Sequence, residues 1–427
     1  MTIVYDVIAA SAILLSAYLL FLLLFEPGIR YRIRGALHER TDEERLQLLA
    51  TVLGTTPQGI DSLELLGEGR DIYEPQLDAI RKAQHSVHLE AYIFRPGAVA
   101  DAFIEALALR ASQGVRVRVT LDAFGSFATR AAHVDRLIRA GGHVMRYHAL
   151  SWRTFRRLNN RTHRNLLIVD SRVAFVGGAG VADYWSSVHD APWRDCVLRV
   201  EGEIVRGMQG VFVENWLEGS GELLLDEISF PSAAPGPGPA TPGAMAGLVV
   251  GSTPTAGLST RARVLMQFML ASASRTIELT SPYFIPDVGI RRELRAARRR
   301  GVCVRVLTGG RYGDHLLAWR AGRRRYGSLL RAGLEIHEYA RRMMHVKALV
   351  IDGRWCVLGS TNIDRRSFGL NDEVNVVVRD EALAAELQSQ FERDLYRSTA
   401  LDYRGWLRRS WRERILATAG RLLERHQ

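Results

Sequence analysis

Two histidines head similar stretches of the sequence and are the residues best suited to do chemistry. The first stretch, HRNLLIVDSRVAFVGGAG, runs from His163 to Gly180, and the second, HVKALVIDGRWCVLGSTN, runs from His345 to Asn362. An imidazole can attack, donate or accept a proton near neutral pH, because its ordinary pKa is about 6.5. A lone histidine is usually structural, but two in matching stretches indicate a pair of half-sites.

The second stretch surrounds its histidine with other polar groups. Strand alternation places His345 and Lys347 on one face, and Lys347 is one of only two lysines in an arginine-dominated chain. The turn that follows supplies Ser360 and Asn362, whose hydroxyl and amide donors can point into the same space. Glu373 follows His345 by 28 residues and can hold one imidazole nitrogen. A surface ion pair is the alternative role for Glu373.

The two stretches belong to a unit that the sequence uses twice. The offset of 182 positions between His163 and His345 also separates Asp170 from Asp352. Before each stretch comes an apolar strand, an amphipathic helix and a second strand. This repeated order predicts an α/β fold in two halves, each with a mixed, largely parallel sheet flanked by helices.

Composition sets the predicted domain boundaries. A linker is predicted around the run PSAAPGPGPATPGAMAG, because its prolines and glycines disfavour both helix and strand. In the tail, apolar residues recur at helical spacing among arginines, which fits either an interfacial membrane helix or a helix packed on the core. The predicted divisions are an N-terminal anchor over 1–35, a first half over 58–225, a linker over 226–260, a second half over 261–398 and a basic amphipathic tail over 399–427.

An apolar run near the N-terminus predicts a transmembrane helix. Val7 to Phe25 contains 19 residues without a charge, about the length that crosses a bilayer core. Asp6 precedes the run and three arginines follow it, so the positive-inside rule places the rest of the chain in the cytoplasm. The net charge of +11 favours an anionic partner, either a lipid surface or nucleic acid.

Cysteine usage argues against a disulfide framework and against a zinc site. Cys196, Cys303 and Cys356 lie in apolar runs without paired spacing. We expect them to be inert, buried thiols in a reducing compartment.

Several motifs together resemble those of a known family. HxK, an aspartate after four further residues and then Gly-Ser-x-Asn resemble the HKD signature of the phospholipase D superfamily. The stretches HLEAYIF, RRLNNRTHRN, PWRD, SPYFIPD and GSTNIDRRSFGLNDEVN are similar to those of bacterial cardiolipin synthases. The resemblance covers roughly residues 63 to 397 and implies two phospholipase D-like halves, related by a pseudo-twofold axis, whose histidines share one pocket.

The same resemblance implies a phosphodiester exchange that needs neither a metal nor a cofactor. One histidine attacks phosphorus to form a phosphohistidine, while the other protonates the leaving glycerol oxygen and later deprotonates the incoming alcohol. The implied catalytic residues are His163, Asp170, Asp195, His345, Lys347, Asp352 and Glu373, and the implied phosphate ligands are Asn165, Lys347, Ser360 and Asn362.

The first copy departs from the pattern at two positions. Asn165 stands where the lysine belongs, and Gly180 stands where the asparagine belongs. Asp195, 32 residues after His163, would take the orienting role of Glu373 in this half. Losing a charge-assisted contact to a phosphoryl oxygen would cost about 3 kcal/mol, so this half-site is weakened, specialised or inactive. We expect that His163 still acts.

The favoured function is that of a membrane-bound phosphatidyltransferase. It would join two phosphatidylglycerols into cardiolipin and glycerol at the cytoplasmic face of a bacterial inner membrane. One alternative is a phospholipase D or nuclease of the same superfamily. Nucleic acid is the less favoured partner, because the aromatic residues form no periodic stacking platform. The other alternative, suggested by Asn165 and Gly180, is a non-catalytic lipid-binding protein.

Overall fold

A computed structural model describes residues 2–25, 32–67, 71–149, 157, 159–186, 192–230, 245–254 and 260–409. The helices are α1 (Thr2–Phe25), α2 (Asp42–Leu53), α3 (Glu74–Lys82), α4 (Ala98–Ser112), α5 (Ala131–Arg139), α6 (Ile204–Ser220), α7 (Arg261–Ser272), α8 (Val288–Arg299), α9 (Leu316–Leu330), α10 (Arg365–Gly369), α11 (Glu381–Tyr396) and α12 (Tyr403–Leu407). Strands alternate with these helices, as an α/β fold requires.

The strands form two sheets of similar design. The strands are β1 (Gln58–Gly59), β2 (Ser62–Gly67), β3 (Ser86–Ala91), β4 (Arg116–Asp122), β5 (His143–Tyr147), β6 (Arg161–Thr162), β7 (Leu166–Val169), β8 (Val173–Gly177), β9 (Cys196–Glu201), β10 (Ala246–Ser252), β11 (Thr276–Ser281), β12 (Cys303–Gly309), β13 (Glu335–Tyr339), β14 (Ala348–Ile351), β15 (Trp355–Gly359), β16 (Asn371–Arg379) and β17 (Ser398–Leu401). The first sheet has the order β2-β9-β8-β7-β3-β4-β5. The second has the order β1-β10-β16-β15-β14-β11-β12-β13-β17, with β6 paired to β16.

The predicted two halves with mixed sheets are confirmed, but the sheets are not largely parallel. Apart from the short β6, parallel pairing is confined to β3-β4-β5 in the first sheet and β11-β12-β13 in the second. The remaining neighbours are antiparallel, because tight turns join β7 to β8 and β14 to β15. The alternation of strands and helices in the sequence therefore predicts only the parallel part of each sheet, which is β3-β4-β5 in the first and β11-β12-β13 in the second.

A shared apolar core fixes the two halves against each other. Phe212 of α6 and Leu198 of β9 belong to the same buried cluster as Val376 of β16 and Leu387 of α11. Fully burying a side chain of this size contributes about 1.5–3 kcal/mol. The interface between the halves is therefore packed like a domain interior and holds the catalytic segments of both halves in one frame.

Two predicted boundaries shift in the structure. Strand β10 lies inside the predicted linker and pairs with β16 near one edge of the second sheet, because the LVV run after the glycines is sufficient for a strand. Strand β1 pairs with β10, so residues 58–59 belong to the second sheet and not to the first half. Residues 231–244 and 255–259 of the linker lie outside the described residues.

The start of the predicted tail packs on the second half. Strand β17 extends the second sheet beside β13, and the indole of Trp406 donates a hydrogen bond of 2.7 Å to the carbonyl of Arg323. This favours core packing for residues 398–409. The stretch 410–427, with most of the predicted amphipathic helix, lies outside the described residues.

The predicted transmembrane helix coincides with α1. Among the described residues, none of the helices combines the length and the apolarity that crossing a membrane requires. The structure therefore does not support the predicted span, and residues 26–31 after α1 lie outside the described part.

Asp170 and Asp352 serve the turns of the fold, which corrects their predicted place in the catalytic site. Both occupy left-handed backbone, with φ of 53° and 55°. The Asp170 carboxylate accepts three backbone N–H bonds from residues 84–86, and the Asp352 carboxylate accepts three from residues 274–276. These residues precede or begin β3 and β11, roughly 20 Å from the opposite ends of those strands.

We predict that Asp352→Ala destabilises the fold without removing a catalytic group. Three backbone donors lose their acceptor, and alanine is disfavoured at positive φ, so the free energy of unfolding should fall by about 3 kcal/mol. Chemical unfolding of the detergent-solubilised chain measures this loss. Asp135→Ala, on the exposed face of α5, is the control and should change stability by less than about 0.5 kcal/mol. If Asp352→Ala keeps the parental stability but loses turnover, Asp352 has a catalytic role and the structural assignment is wrong.

Candidate active site

Each histidine is carried by a short segment that hydrogen-bonds to the opposite half. On one side, β6 pairs with the start of β16, with Arg161 opposite Asn371. The backbone N–H of His163 then donates to the carbonyl of Asp372 at 2.9 Å. The first histidine is thereby fixed to a strand of the second half.

The reciprocal contact holds the second histidine. The N–H of Arg194 donates to the carbonyl of Met343 at 2.8 Å, and the N–H of His345 donates to the carbonyl of Arg194 at 2.7 Å. The side chain of Arg194 is buried, and its Nε donates to Asp394 of α11 at 2.9 Å. This segment of the first half is thus bound firmly to the second.

The exchange of segments gives each imidazole a carboxylate from the other half. His163 Nδ1 lies 3.1 Å from both carboxylate oxygens of Glu373, and His345 Nδ1 lies 2.7 Å from Oδ2 of Asp195. The prediction that Glu373 serves His345, and Asp195 serves His163, is therefore wrong. The residues were identified correctly, but their pairing is crossed.

Both histidines line one cavity of about 400 Å³. Its walls combine aromatic and basic side chains, and the described lining includes Tyr92, Phe124, Arg161, Asn165, Gly178, Trp185, Trp193, Tyr283, Asp314, His315, Asn362, Asp364, Arg365 and Arg366. A pocket of this size suits a small-molecule group, and a basic wall suits an anionic one. The two imidazoles are therefore part of the wall of one cavity.

Two tryptophans that sequence reasoning did not single out flank His345. The ring centroids of Trp185 and Trp193 lie 5.4 Å and 5.7 Å from that of His345. Trp193 lies in the PWRD stretch, two residues before the carboxylate that holds His345, so its neighbourhood carried a signal. The indole rings exclude water from one side of the imidazole, which lowers the local dielectric constant and strengthens the interaction of the imidazole with nearby charges.

Lys347 lies against His345 and outside the set of residues that line the cavity. Its Nζ is 2.9 Å from both ring nitrogens of His345 and donates to the His345 carbonyl at 2.8 Å. Burial lowers the pKa of Lys347 to about 8. Burial also lowers the pKa of His345, and the Lys347 ammonium lowers it further against the opposing effect of Asp195. The environment favours a neutral imidazole at His345.

Glu373 is kept ionised beside His163. Burial raises the pKa of Glu373, but the attraction of His163 and hydrogen bonds from neighbouring hydroxyls outweigh burial and lower the pKa. Ser360 is one of these donors, and its oxygen also accepts from the Val374 N–H at 3.0 Å. Ser360 therefore supports the carboxylate instead of binding phosphate as predicted. Asn362 does line the cavity.

Asn165 uses both of its polar atoms on the backbone around the cavity. Its Nδ2 donates to the carbonyl of Gly178 at 2.9 Å, and its Oδ1 accepts from the N–H of Tyr92 at 3.2 Å. The amide nitrogen has a second N–H donor and Asn165 lines the cavity, so its contact with phosphate stays a prediction beside these two bonds. The structure assigns Asn165 to the shape of the cavity wall.

The glycines of the first stretch are required by close packing. A Cβ on Gly178 would lie 2.7 Å from the Asp195 carboxylate, and a Cβ on Gly180 would lie 2.6 Å from the Ile93 carbonyl. Neither position can hold the serine or asparagine of the second stretch without displacing a neighbour. Glycine is therefore required at position 178 by the Asp195 carboxylate and at position 180 by the Ile93 carbonyl after β3.

A known protein family matches both halves of the chain. The family model described as "Cardiolipin synthase, PLD-like domain" matches residues 77–191 and 266–395. The chain belongs to this family. Membership of the cardiolipin synthase family identifies it as a phosphatidyltransferase of the phospholipase D superfamily.

Curated relatives are similar in sequence to this family member over most of its length. The probable cardiolipin synthase YwiE of Bacillus subtilis (strain 168) is 32% identical over 364 residues, which cover 84% of this chain and 71% of the relative. The major cardiolipin synthase ClsA of the same organism is 33% identical over 366 residues, which cover 85% and 75%. Both similarities extend across the two halves.

A solved structure shows the same fold at low identity. The phosphatidylserine synthase of Haemophilus influenzae Rd KW20 matches with a TM-score of 0.68 and 12% identity, over 90% of this chain and all of that one. At this identity the likeness supports the architecture alone.

We predict that the crossed carboxylates are essential to turnover in this cardiolipin synthase family member. Glu373→Gln and Asp195→Asn should each lower kcat roughly 10²- to 10⁴-fold, because the amide no longer fixes the imidazole tautomer. Steady-state assays should show KM changing less than about threefold. Glu105→Gln, on the exposed face of α4, is the matched control and should retain parental kcat. A kcat within twofold of the parent for either site variant would contradict the assignment.

We predict that restoring the motif lysine with Asn165→Lys impairs the protein. Lysine cannot accept from the Tyr92 N–H and adds a second buried ammonium to the site, so turnover should fall about tenfold or more. Gln47→Lys adds the same charge on the exposed face of α2 and serves as control. A gain in turnover for Asn165→Lys would show instead that the first half-site is weakened by its missing lysine.

Proposed function

We propose that the protein transfers a phosphatidyl group from one phosphatidylglycerol to another, giving cardiolipin and glycerol through a phosphohistidine. The observation that carries the proposal is the pair of imidazoles in one cavity, each held at Nδ1 by a carboxylate of the opposite half. Because each carboxylate lies at Nδ1, we assign Nε2 of each ring to reaction at phosphorus or to proton transfer, and at His345 this requires Lys347 Nζ, 2.9 Å from Nε2, to move aside. The relatives named as cardiolipin synthases support the same substrates.

His345 is the proposed nucleophile. Its imidazole lies in a site where burial and Lys347 disfavour the charged form, so its Nε2 lone pair is available. Attack forms the N–P bond and breaks the bond from phosphorus to the glycerol oxygen. Asp195 holds the ring and stabilises the positive charge that the ring acquires.

His163 is the proposed acid and base. Glu373 holds Nδ1 of His163, and in the proposed first step His163 gives a proton from Nε2 to the departing glycerol oxygen. In the second step the neutral His163 takes the proton of the incoming hydroxyl. The new P–O bond forms, the N–P bond breaks and His345 is released.

Charge on the phosphoryl oxygens is balanced by cations near the cavity. Arg161, Arg365 and Arg366 line it, and the Lys347 ammonium lies beside the nucleophile. Such preorganised charges in a partly dry site stabilise a transition state more than they would in water. Lys347 acts through His345 as well as by its charge.

Membrane association is part of the proposal. A lipid substrate requires contact with a bilayer, and the apolar segment Val7 to Phe25 is the proposed anchor, with the catalytic halves on the cytoplasmic side of a bacterial inner membrane. Anionic phosphatidylglycerol also fits the net charge of +11.

The test is the product formed by the reconstituted full chain from phosphatidylglycerol vesicles. We expect cardiolipin and glycerol in equal amounts, identified by mass spectrometry. Phosphatidic acid would show a phospholipase D, and unchanged lipid would show a non-catalytic binding protein. Either result would overturn the proposal.

The two histidine roles are separated by labelled phosphatidylglycerol. His345→Ala should form no phosphoenzyme, whereas His163→Ala should still form some, slowly because the acid is lost and with slow release because the base is lost, and both should lower turnover by about 10³-fold or more. His143→Ala, at the exposed start of β5, is the control. Phosphoenzyme on His345→Ala but not on His163→Ala would reverse the assignment.

A further inference from the structure

Large apolar side chains are exposed on two loops beside the cavity. Phe124 and Phe127, in the turns after β4, are 68% and 69% exposed. Tyr312 and Leu316, after β12, are 48% and 43% exposed. Burying such groups in the protein would be favourable, so a pair of phenylalanines left in water within one turn indicates a surface that is covered in use. We call these four residues the apolar rim.

The apolar rim borders the cavity on both sides of the pseudo-twofold. Strands β4 and β12 occupy equivalent places in the two sheets, each parallel to the strand beside it. Their following loops reach the cavity, because Phe124 of the first loop and Asp314 and His315 of the second line it. Two unrelated loop sequences thus place apolar groups at the same opening.

The first loop is held rigidly, so its phenylalanines are not exposed by chance mobility. The Ser126 hydroxyl donates to the Tyr92 carbonyl at 2.8 Å, and the Thr129 hydroxyl donates to the Phe94 carbonyl at 2.7 Å. The Asp122 carboxylate accepts the N–H bonds of Phe124 and Gly125 at 2.9 Å and 2.8 Å. These bonds fix the backbone while Phe124 and Phe127 remain exposed.

Arginines accompany the apolar groups on both loops. Arg146 donates to the Ser126 carbonyl at 3.4 Å, and the Arg311 guanidinium lies 4.8 Å from the Tyr312 ring centroid. Asp314 is the acidic group nearest to Tyr312 in sequence, and it accepts a hydrogen bond from Tyr283 of the cavity wall. Aromatic tips flanked by arginines match the interface of a bilayer whose surface is anionic.

We propose that the apolar rim inserts into an anionic bilayer and sets the mouth of the cavity against the lipid surface. The proposal rests on the proposed function in one respect, namely that the substrate is a membrane lipid. It assigns a docking surface separate from the N-terminal segment, which could tether the chain but would leave the orientation of the cavity free. With the rim seated, a phosphate can reach the histidines while its acyl chains stay in the bilayer.

The test compares vesicle and monomeric substrates for the full chain. Phe127→Ser/Tyr312→Ser removes two rim side chains that do not line the cavity. We expect kcat/KM on phosphatidylglycerol vesicles to fall about tenfold or more, and kcat/KM on short-chain phosphatidylglycerol below its micelle concentration to stay within about twofold. Leu223→Ser/Leu225→Ser is the control, because these leucines are 52% and 71% exposed and precede Asp226, which pairs with Arg116 at the far end of β4.

Two outcomes of this comparison would overturn the proposal. An equal loss on both substrates would place the rim in folding or catalysis, and no loss on vesicles would remove its docking role. The control pair should change neither rate, and a vesicle-specific loss in the control would show a general effect of surface polarity.

A second readout does not depend on turnover. Phe127→Cys, labelled with an environment-sensitive fluorophore in the reconstituted full chain, should be quenched by brominated phosphatidylglycerol, whereas labelled Leu225→Cys should not. Quenching at residue 127 in a chain that makes no cardiolipin would support the docking surface while the proposed function fails. No quenching at residue 127 would overturn the docking surface even if cardiolipin is formed.

Discussion

The reciprocal exchange of short backbone segments between the halves is the constraint on which the site depends. The segment at Arg161–His163 is bonded to β16, and the segment before His345 is bonded to Arg194. A buried carboxylate beside a buried imidazole is stable only when both are placed accurately, since an unpaired charge there would cost several kcal/mol. Each histidine is hydrogen-bonded to the backbone segment that carries its carboxylate, so the interface and the active site are one structure.

The repeat predicted much of this from sequence, but not the crossing. The constant offset identified both histidines and the two halves, whereas Asp195 and Glu373 were identified from the PWRD and NDEVN stretches, outside that offset. Each carboxylate follows a histidine in its own repeat, so sequence distance favours pairing within a half. The partner is decided by long-range strand pairing, which local patterns do not encode. The same limit explains Asp170 and Asp352, whose regular spacing reflects a turn geometry shared by both repeats and not a shared chemistry.

The two half-sites are different solutions to one packing problem. In the second half, Ser360 supports the longer side chain of Glu373 by a hydrogen bond, and Lys347 lies beside the histidine. In the first half, the space of that serine is taken by the Asp195 carboxylate, which requires Gly178, and Asn165 secures the loop that this glycine begins. Compared with the motif residue by residue, the first half looks degenerate. In the structure, however, Asn165 makes two hydrogen bonds and Gly178 leaves room for the Asp195 carboxylate.

This asymmetry suits a reaction in two unlike steps. A nucleophile should be neutral and an acid should be protonated at the same pH, so two identical half-sites would not suit both roles. Burial and the Lys347 ammonium lower the pKa of His345 against the opposing effect of Asp195, and Asn165 stands at the position of this lysine in the first half. An arginine at position 347 would bring a broader, more rigid group with five N–H donors. The described contacts of Lys347 are all with His345 and offer fewer acceptors than that. Lys347 therefore adds to the burial, the indole rings and the different carboxylate that already distinguish His345 from His163.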